Sequence, residues 1–141
     1  MKIPKIYISA PYSDNPEENV KRVLKVADKL LKFGYFPAIP HLYHFWDKIS
    51  PKPYETWIRL GKVLLQDCDL VLRLSGDSKG ADGEVKYAHD LGIPVIFLAS
   101  DDQIGSIVPW IKYVESHHLS GIILKTDGYV AQVPNSYEDT Y

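Results

Sequence analysis

Apolar residues come in two rhythms along this chain, short continuous runs and stretches repeating every three to four positions. Lys5-Ile6-Tyr7-Ile8-Ser9 is short and β-rich and predicts a first strand, ending at the loop-forming Ala10 to Pro16. Asn15 is a candidate helix cap, with Pro16 at the first helical position and Glu17 and Glu18 in the first turn. Val20, Val23, Leu24, Ala27, Leu30 and Leu31 then recur at helical spacing, and Gly34 stops that helix. Tyr35 to Ile39 predicts a second strand, which Pro37 confines to an edge or a short ladder. His41 to Tyr54, with prolines at 40, 51 and 53, reads as a long aromatic loop of the kind that is usually functional or mobile. Helical spacing returns at Trp57, Leu60, Leu64 and Leu65, followed by a third strand, Leu70-Val71-Leu72-Arg73-Leu74. Ser75 to Gly80 is a polar turn, and a helix is expected over about Ala81 to Leu91, stopped by Gly92. Pro94 to Leu98 is apolar on both faces, as a buried parallel strand is.

The order βαβαβαβ predicts a single-domain, flavodoxin-like or Rossmann-like α/β three-layer sandwich with a mainly parallel sheet of about five strands. A further helix within Asp101 to His118, restricted by Pro109, and a last strand at Ile122 to Lys125 would complete it. This assigns residues 1–126 to one domain and 127–141 to an irregular C-terminal tail. There is no internal repeat and no linker.

Composition narrows the function classes. A net charge of −2 excludes the broadly basic surface that generic nucleic-acid binding requires, so no nucleic acid polymer is expected as partner. Cys68 is the sole cysteine, so there is no internal disulfide and no Cys-rich metal site. No apolar run approaches the ~20 residues of a membrane span, and the N-terminus lacks a signal-like stretch. A cytoplasmic protein without membrane association is expected.

In open parallel sheets ligands bind beyond the carboxyl ends of the strands. Three segments meet that edge: Ala10 to Pro16, Ile39 to Tyr54 and Ser75 to Gly80. In the third, small residues lead into a helix N-terminus, a fair anion site to which Ser78 would add a hydroxyl. Glu84 would lie in the first turn of that helix, where a carboxylate also serves simply to complement the dipole. The strands do not lead into G-x-G-x-x-G or into a Gly-Lys-Ser/Thr, which argues against dinucleotide and P-loop roles.

Ser78-x-Gly80-x-x-x-Glu84 after a strand, then Tyr87-Ala88 and Leu91-Gly92-Ile93-Pro94-Val95, resembles the nucleoside 2-deoxyribosyltransferase-like superfamily. Ile6 to Tyr12 and Cys68 to Leu72 resemble its first strand and loop and its third strand, so the likeness spans roughly residues 5 to 98. The resemblance implies an enzyme, a hydrolase or transferase of nucleotide metabolism, that breaks an N-glycosidic bond with a glutamate nucleophile at C1′ of a nucleoside or nucleotide. It makes Glu84 the nucleophile and Tyr7 a catalytic partner at the sugar, where a buried strand aromatic is the competing reading. Ser9, Ala10, Pro11 and Ser13 of the first loop, with Ser78 and Gly80, become candidate substrate contacts, although Ser13 also suits a turn. Ser78 stands where nucleoside 5′-monophosphate N-glycosidases carry a phosphate-binding serine and base-exchanging transferases an aspartate. The resemblance implies that no cofactor is needed and that a homodimer or larger homo-oligomer, common in the superfamily, is expected, with Ser106 a candidate to reach a neighbour's phosphate site.

One position departs. Where the superfamily has an aspartate, eight residues before Asp69, this chain has Gly61. Asp47, Glu55, Asp77 and Asp82 are possible substitutes; otherwise the alternative is a non-catalytic nucleotide-binding or sensing module of the same fold. In the aromatic segment His44 and Trp46 are candidate base contacts, since rings stack on nucleobases, although such residues equally serve a core or a subunit interface. His41 and His44 lack a third ligand, so no metal is expected.

Overall fold

The computed structural model describes residues 2–125. The predicted tail, 127–141, lies outside the described residues. Five strands, β1 (Lys5–Ser9), β2 (Phe36–Ala38), β3 (Leu70–Leu74), β4 (Val95–Leu98) and β5 (Ile123–Lys125), form one sheet in the order β2-β1-β3-β4-β5. All four pairings are parallel. This is the doubly wound order in which the chain reverses direction between β1 and β3, the place where such sheets bind ligands.

Strand alternation sorts the core into two halves. Ile6, Ile8, Leu70, Leu72 and Leu74 point to one face, packed against helices α1 (Pro16–Lys32) and α5 (Ile104–Ser116) through Val23, Leu30, Ile107 and Ile111. Tyr7, Val71 and Val95 point to the other, against α3 (Tyr54–Gln66) and α4 (Lys79–Asp90) through Leu65, Val85 and Ala88. Flavodoxin-like three-layer architecture follows. Among the described residues no helix is long and apolar enough to cross a membrane.

Several local features follow the expectations. Pro37 sits in the edge strand β2, where a missing ladder donor is tolerated. Asn15 holds the N-cap position of α1 with Pro16 first in the helix, although its side chain makes no capping bond. Asp69 accepts from Lys2 Nζ at 2.6 Å and from the Lys5 amide at 2.8 Å, at the edge of the sheet opposite the carboxyl ends. Pro109, by contrast, does not restrict α5: the helix runs through it from Ile104 to Ser116, with the proline on its exposed side.

Two expectations are corrected. The segment from His41 to Tyr54 is not a loop: Pro40–Leu42 forms a 3-10 turn, Tyr43–Ile49 the short helix α2, and Tyr54 already opens α3. Proline 40 starts the turn, and prolines 51 and 53 lie in the connection between helices, where a missing N–H costs nothing. The helix carrying Glu84 begins at Lys79 rather than Ala81. Glu84 is therefore in its second turn, beyond the reach of the dipole effect that fades within the first.

Candidate active site

Tyr7 and Ser9 alternate with Ile6 and Ile8, so both turn to the α4 side at the carboxyl end of β1. Glu84 reaches down from α4 to meet them. Its Oε2 accepts a very short hydrogen bond from the Tyr7 hydroxyl, and its Oε1 accepts one from Ser9 Oγ at 2.8 Å. Tyr7 and Ser9 are both 0% exposed. Burial pushes the Glu84 carboxyl above its ordinary range, while the Tyr7 and Ser9 hydroxyls and the charge of Arg73 pull it back. Burial and the neighbouring carboxylate raise the Tyr7 phenol well above its ordinary value, so it remains a donor at neutral pH. A carboxylate held by two hydroxyls on a sheet edge is oriented for attack or charge stabilisation, not merely stored as a surface charge.

Tyr7 and Glu84 line a cleft of about 1130 Å³ over the β1/β3 switch point, whereas Ser9 lies outside its lining and meets Glu84 from within the protein. Ala10, Pro11, Ser13, His44, Ser78 and Gly80 line the same cleft. Ser78 is the N-cap of α4, its Oγ accepting from the Ala81 amide at 3.1 Å, which leaves its own O–H free to donate. Trp46 is not brought to the cleft lining: 48% exposed, it packs edge-on against Tyr43 and Trp57. Ser106 is exposed on α5, away from the cleft lining.

The aromatic wall is tied to the first loop. His41 donates from Nε2 to the Pro11 carbonyl at 3.0 Å, and burial lowers its pKa, keeping it neutral. The Tyr12 hydroxyl and His44 Nδ1 are 2.6 Å apart, while His44 Nε2 has no hydrogen-bond partner. Tyr43 stacks on Trp57 with centroids 5.6 Å apart.

The proposed substitutes for an aspartate at 61 divide. Asp47 Oδ1 is used by Trp57 Nε1 at 2.7 Å and by the Lys52 amide at 3.0 Å, which hold its carboxyl below the ordinary range and staple α2 to α3. Asp82 pairs with Arg73 at 3.0 Å. Glu55 is exposed and outside the lining, whereas Asp77 lines the cleft. Position 61 itself faces the site, because a Cβ there would lie 3.3 Å from the Tyr7 hydroxyl.

Arg73, embedded in an apolar strand, belongs to no spaced motif in the sequence. Its guanidinium is 3% exposed and lies on the Tyr7 and Ser9 side of the sheet, paired in register with Ser9. A lone charge within Leu70-Val71-Leu72-Arg73-Leu74 was the signal available. Among the described residues no cluster of His, Cys, Asp or Glu is arranged to hold a metal.

Residues 4–98 match the sequence pattern of a family described as "Domain of unknown function (DUF7768)". The chain belongs to this family. The DUF7768 region covers β1 to β4 and thus every residue of the Tyr7–Ser9–Glu84 trio. Among curated proteins none matches. Solved structures do. A 2-deoxyribosyltransferase from Bacillus psychrosaccharolyticus aligns at 20% identity and a TM-score of 0.50, over 66% of this chain and 70% of that one. A Leishmania mexicana enzyme described as a 2-desoxiribosyltransferase aligns at 19% and 0.54, over 67% and 63%. A CMP N-glycosidase from Clostridium botulinum aligns at 15% and 0.50, over 87% and 89%. At such identities the likeness is one of fold.

Proposed function

We propose that this DUF7768 protein cleaves the N-glycosidic bond of a nucleotide or nucleoside, with the Glu84 carboxylate as nucleophile. The observation that carries the reading is the orientation of Glu84 by the Tyr7 and Ser9 hydroxyls at the floor of the switch-point cleft. The names of the fold relatives, two 2-deoxyribosyltransferases and a CMP N-glycosidase, support the same chemistry.

In this reading Glu84 attacks C1′ as the C1′–N bond to the base breaks. The base departs with the bonding pair and takes up a proton, leaving a glycosyl ester on Glu84. Water then attacks C1′, freeing the sugar and restoring the carboxylate. A carboxylate nucleophile divides one hard displacement into two easier ones. Tyr7 keeps one carboxylate oxygen aligned, and the water-poor floor strengthens the interaction with charge developing on the sugar.

Hydrolysis of a nucleoside 5′-monophosphate is favoured over base exchange. Ser78 has a free donor at the N-terminus of α4, and Ser78, Lys79 and Gly80 line the cleft together, which suits a phosphate. His44, which lines the cleft, is the candidate contact to the base. The decisive experiment is base release from a panel of nucleoside 5′-monophosphates and free nucleosides, comparing wild type with Glu84→Ala. Release by the first and not by the second supports the reading, and the preferred substrate names the branch.

A second reading draws on Gly61. The position faces Tyr7 and supplies no carboxylate, as would suit a module that binds nucleotides without turning them over. Calorimetric binding of a nucleotide with no base released would favour it.

A further inference from the structure

Among the described residues Arg73 is the buried side chain that carries a fixed charge. Its ordinary function in a sheet is hard to see, since a buried guanidinium is costly unless every donor finds an acceptor. The acceptors it finds are all in one place. Nη1 donates to the Leu74 carbonyl, and Nη2 donates to the Gly76 carbonyl at 2.9 Å and to Asp82 Oδ1 at 3.0 Å. These partners are the end of β3, the turn that follows it and the first part of α4. Nε has no partner.

The charge is only partly balanced. Asp82 is 69% exposed, so the ion pair is screened on its anionic side. Toward the interior Arg73 shares its face of the sheet with Ser9, its register partner, whose hydroxyl holds Glu84. Burial places its field in a medium that screens little. The Phe97 ring, 6.0 Å from the guanidinium carbon, covers it from β4.

We infer that Arg73 is a positioning residue for Glu84, clamping the β3–α4 turn that sets the height of the carboxylate and presenting a buried positive charge to it. The inference rests on the reading of Glu84 as the reactive carboxylate and extends it. Two tasks fall to one side chain. The fork of the guanidinium bridges strand, turn and helix, and its charge offsets the desolvation of the carboxylate. Lysine would keep the second task and lose the first, because a single ammonium cannot replace a planar fork.

The groups that act on Glu84 are Tyr7 from β1 and Arg73 from β3; the charged side chains that line the same cleft are Asp14 of the first loop, Asp47 of α2, Lys52, Lys62 of α3, Asp77 of the β3–α4 turn, and Lys79, Lys86 and Asp90 of α4. The test reads the carboxyl group directly, by following the ¹³C shift of the Glu84 side chain against pH in protein labelled at glutamate, assigned with Glu84→Gln. In Arg73→Met the titration midpoint rises, as expected when an opposite charge on the same face of the sheet is lost. In Arg73→Lys the midpoint stays near that of wild type, but the Ala81 and Asp82 amides, bonded to Ser78, exchange with solvent about ten times faster as the clamp loosens. An unchanged midpoint in folded Arg73→Met overturns the inference. If that variant does not fold, unchanged exchange in Arg73→Lys overturns it instead. The titration is independent of turnover: base release that survives with an unmoved midpoint removes Arg73 and keeps the glycosidic reading, whereas a moved midpoint in a protein that releases no base does the reverse.

Discussion

The two faces of the sheet are built from the same strands and differ in nearly everything else. On the α1/α5 face every inward position of β1 and β3 is aliphatic: Ile6, Ile8, Leu70, Leu72, Leu74. On the α3/α4 face the same two strands offer Tyr7, Ser9, Val71 and Arg73, apolar toward their start and polar toward their carboxyl ends. The first face has nothing to do but exclude water. The second gives up part of its packing to hold a half-buried carboxylate, two hydroxyls and a guanidinium, the kind of trade of stability for function that a site requires. Alternation along a strand lets a single five-residue segment do both.

Substitutions separate the faces. The largest effect expected is on the polar side, where Glu84→Ala lowers base release by about a thousandfold or more while circular dichroism stays native, as removal of a covalent nucleophile does. Appreciable release by that variant would end the assignment of Glu84. On the aliphatic side, Ile8→Ala costs about 3 kcal/mol in urea unfolding, the scale of a large-to-small change in a closed core. Its remaining folded fraction keeps the pH profile of wild type. Tyr7→Phe removes a donor to Glu84 but fills the same space, so a loss of about tenfold in rate is expected, with little change in stability.

The smallest effect concerns the cost of the site itself. Glu84 has a raised pKa in the folded protein, so folding favours its protonated form. The contribution of Glu84 to stability is thus greatest below the ordinary carboxylate range and is lost as pH rises through its folded-state pKa, opposite in sign to Asp47, whose pKa is lowered. Glu84→Gln removes that one contribution. At neutral pH it is expected to melt about 3 °C above wild type, a gain that vanishes in acid. A variant that melts lower at every pH would mean that the carboxylate is stabilising where it stands. If Glu84 acts as proposed, the same raised pKa places the acid limb of base release above the usual carboxylate range, since a carboxylate must be ionised to attack.

Sequence made some of this legible and hid the rest for physical reasons. The strands stood out because buried parallel strands are short uninterrupted apolar runs, and α1 because one of its faces is buried from Val20 to Leu30. Helix α2 was invisible to periodicity because none of its residues is buried, so no face is marked apolar. The start of α4 was set two residues late because Lys79 and Gly80 look like turn residues until Ser78 is seen capping them. Glu84 was found through its motif spacing with Ser78 and Gly80, not through any property of a glutamate in a helix. Ser9 as its second donor needs only the alternation with Tyr7. Arg73 follows from no motif, since its partners are carbonyls and a carboxylate that come together only when the turn is built.

Gly76 carries a consequence for how such a pocket can change over generations. Its φ of +120° and the Pro11 Cγ, which would lie 2.8 Å from a Cβ at this position, leave no room for a side chain. Pro11 in turn supports His41 through its carbonyl. Any residue larger than glycine at 76 would therefore displace the opposite wall, two steps away, without touching a ligand. The walls of the cleft are geared together, and a lineage that reshapes the cleft is expected to replace both loops in concert, so that residues 11 and 76 vary as a pair or not at all.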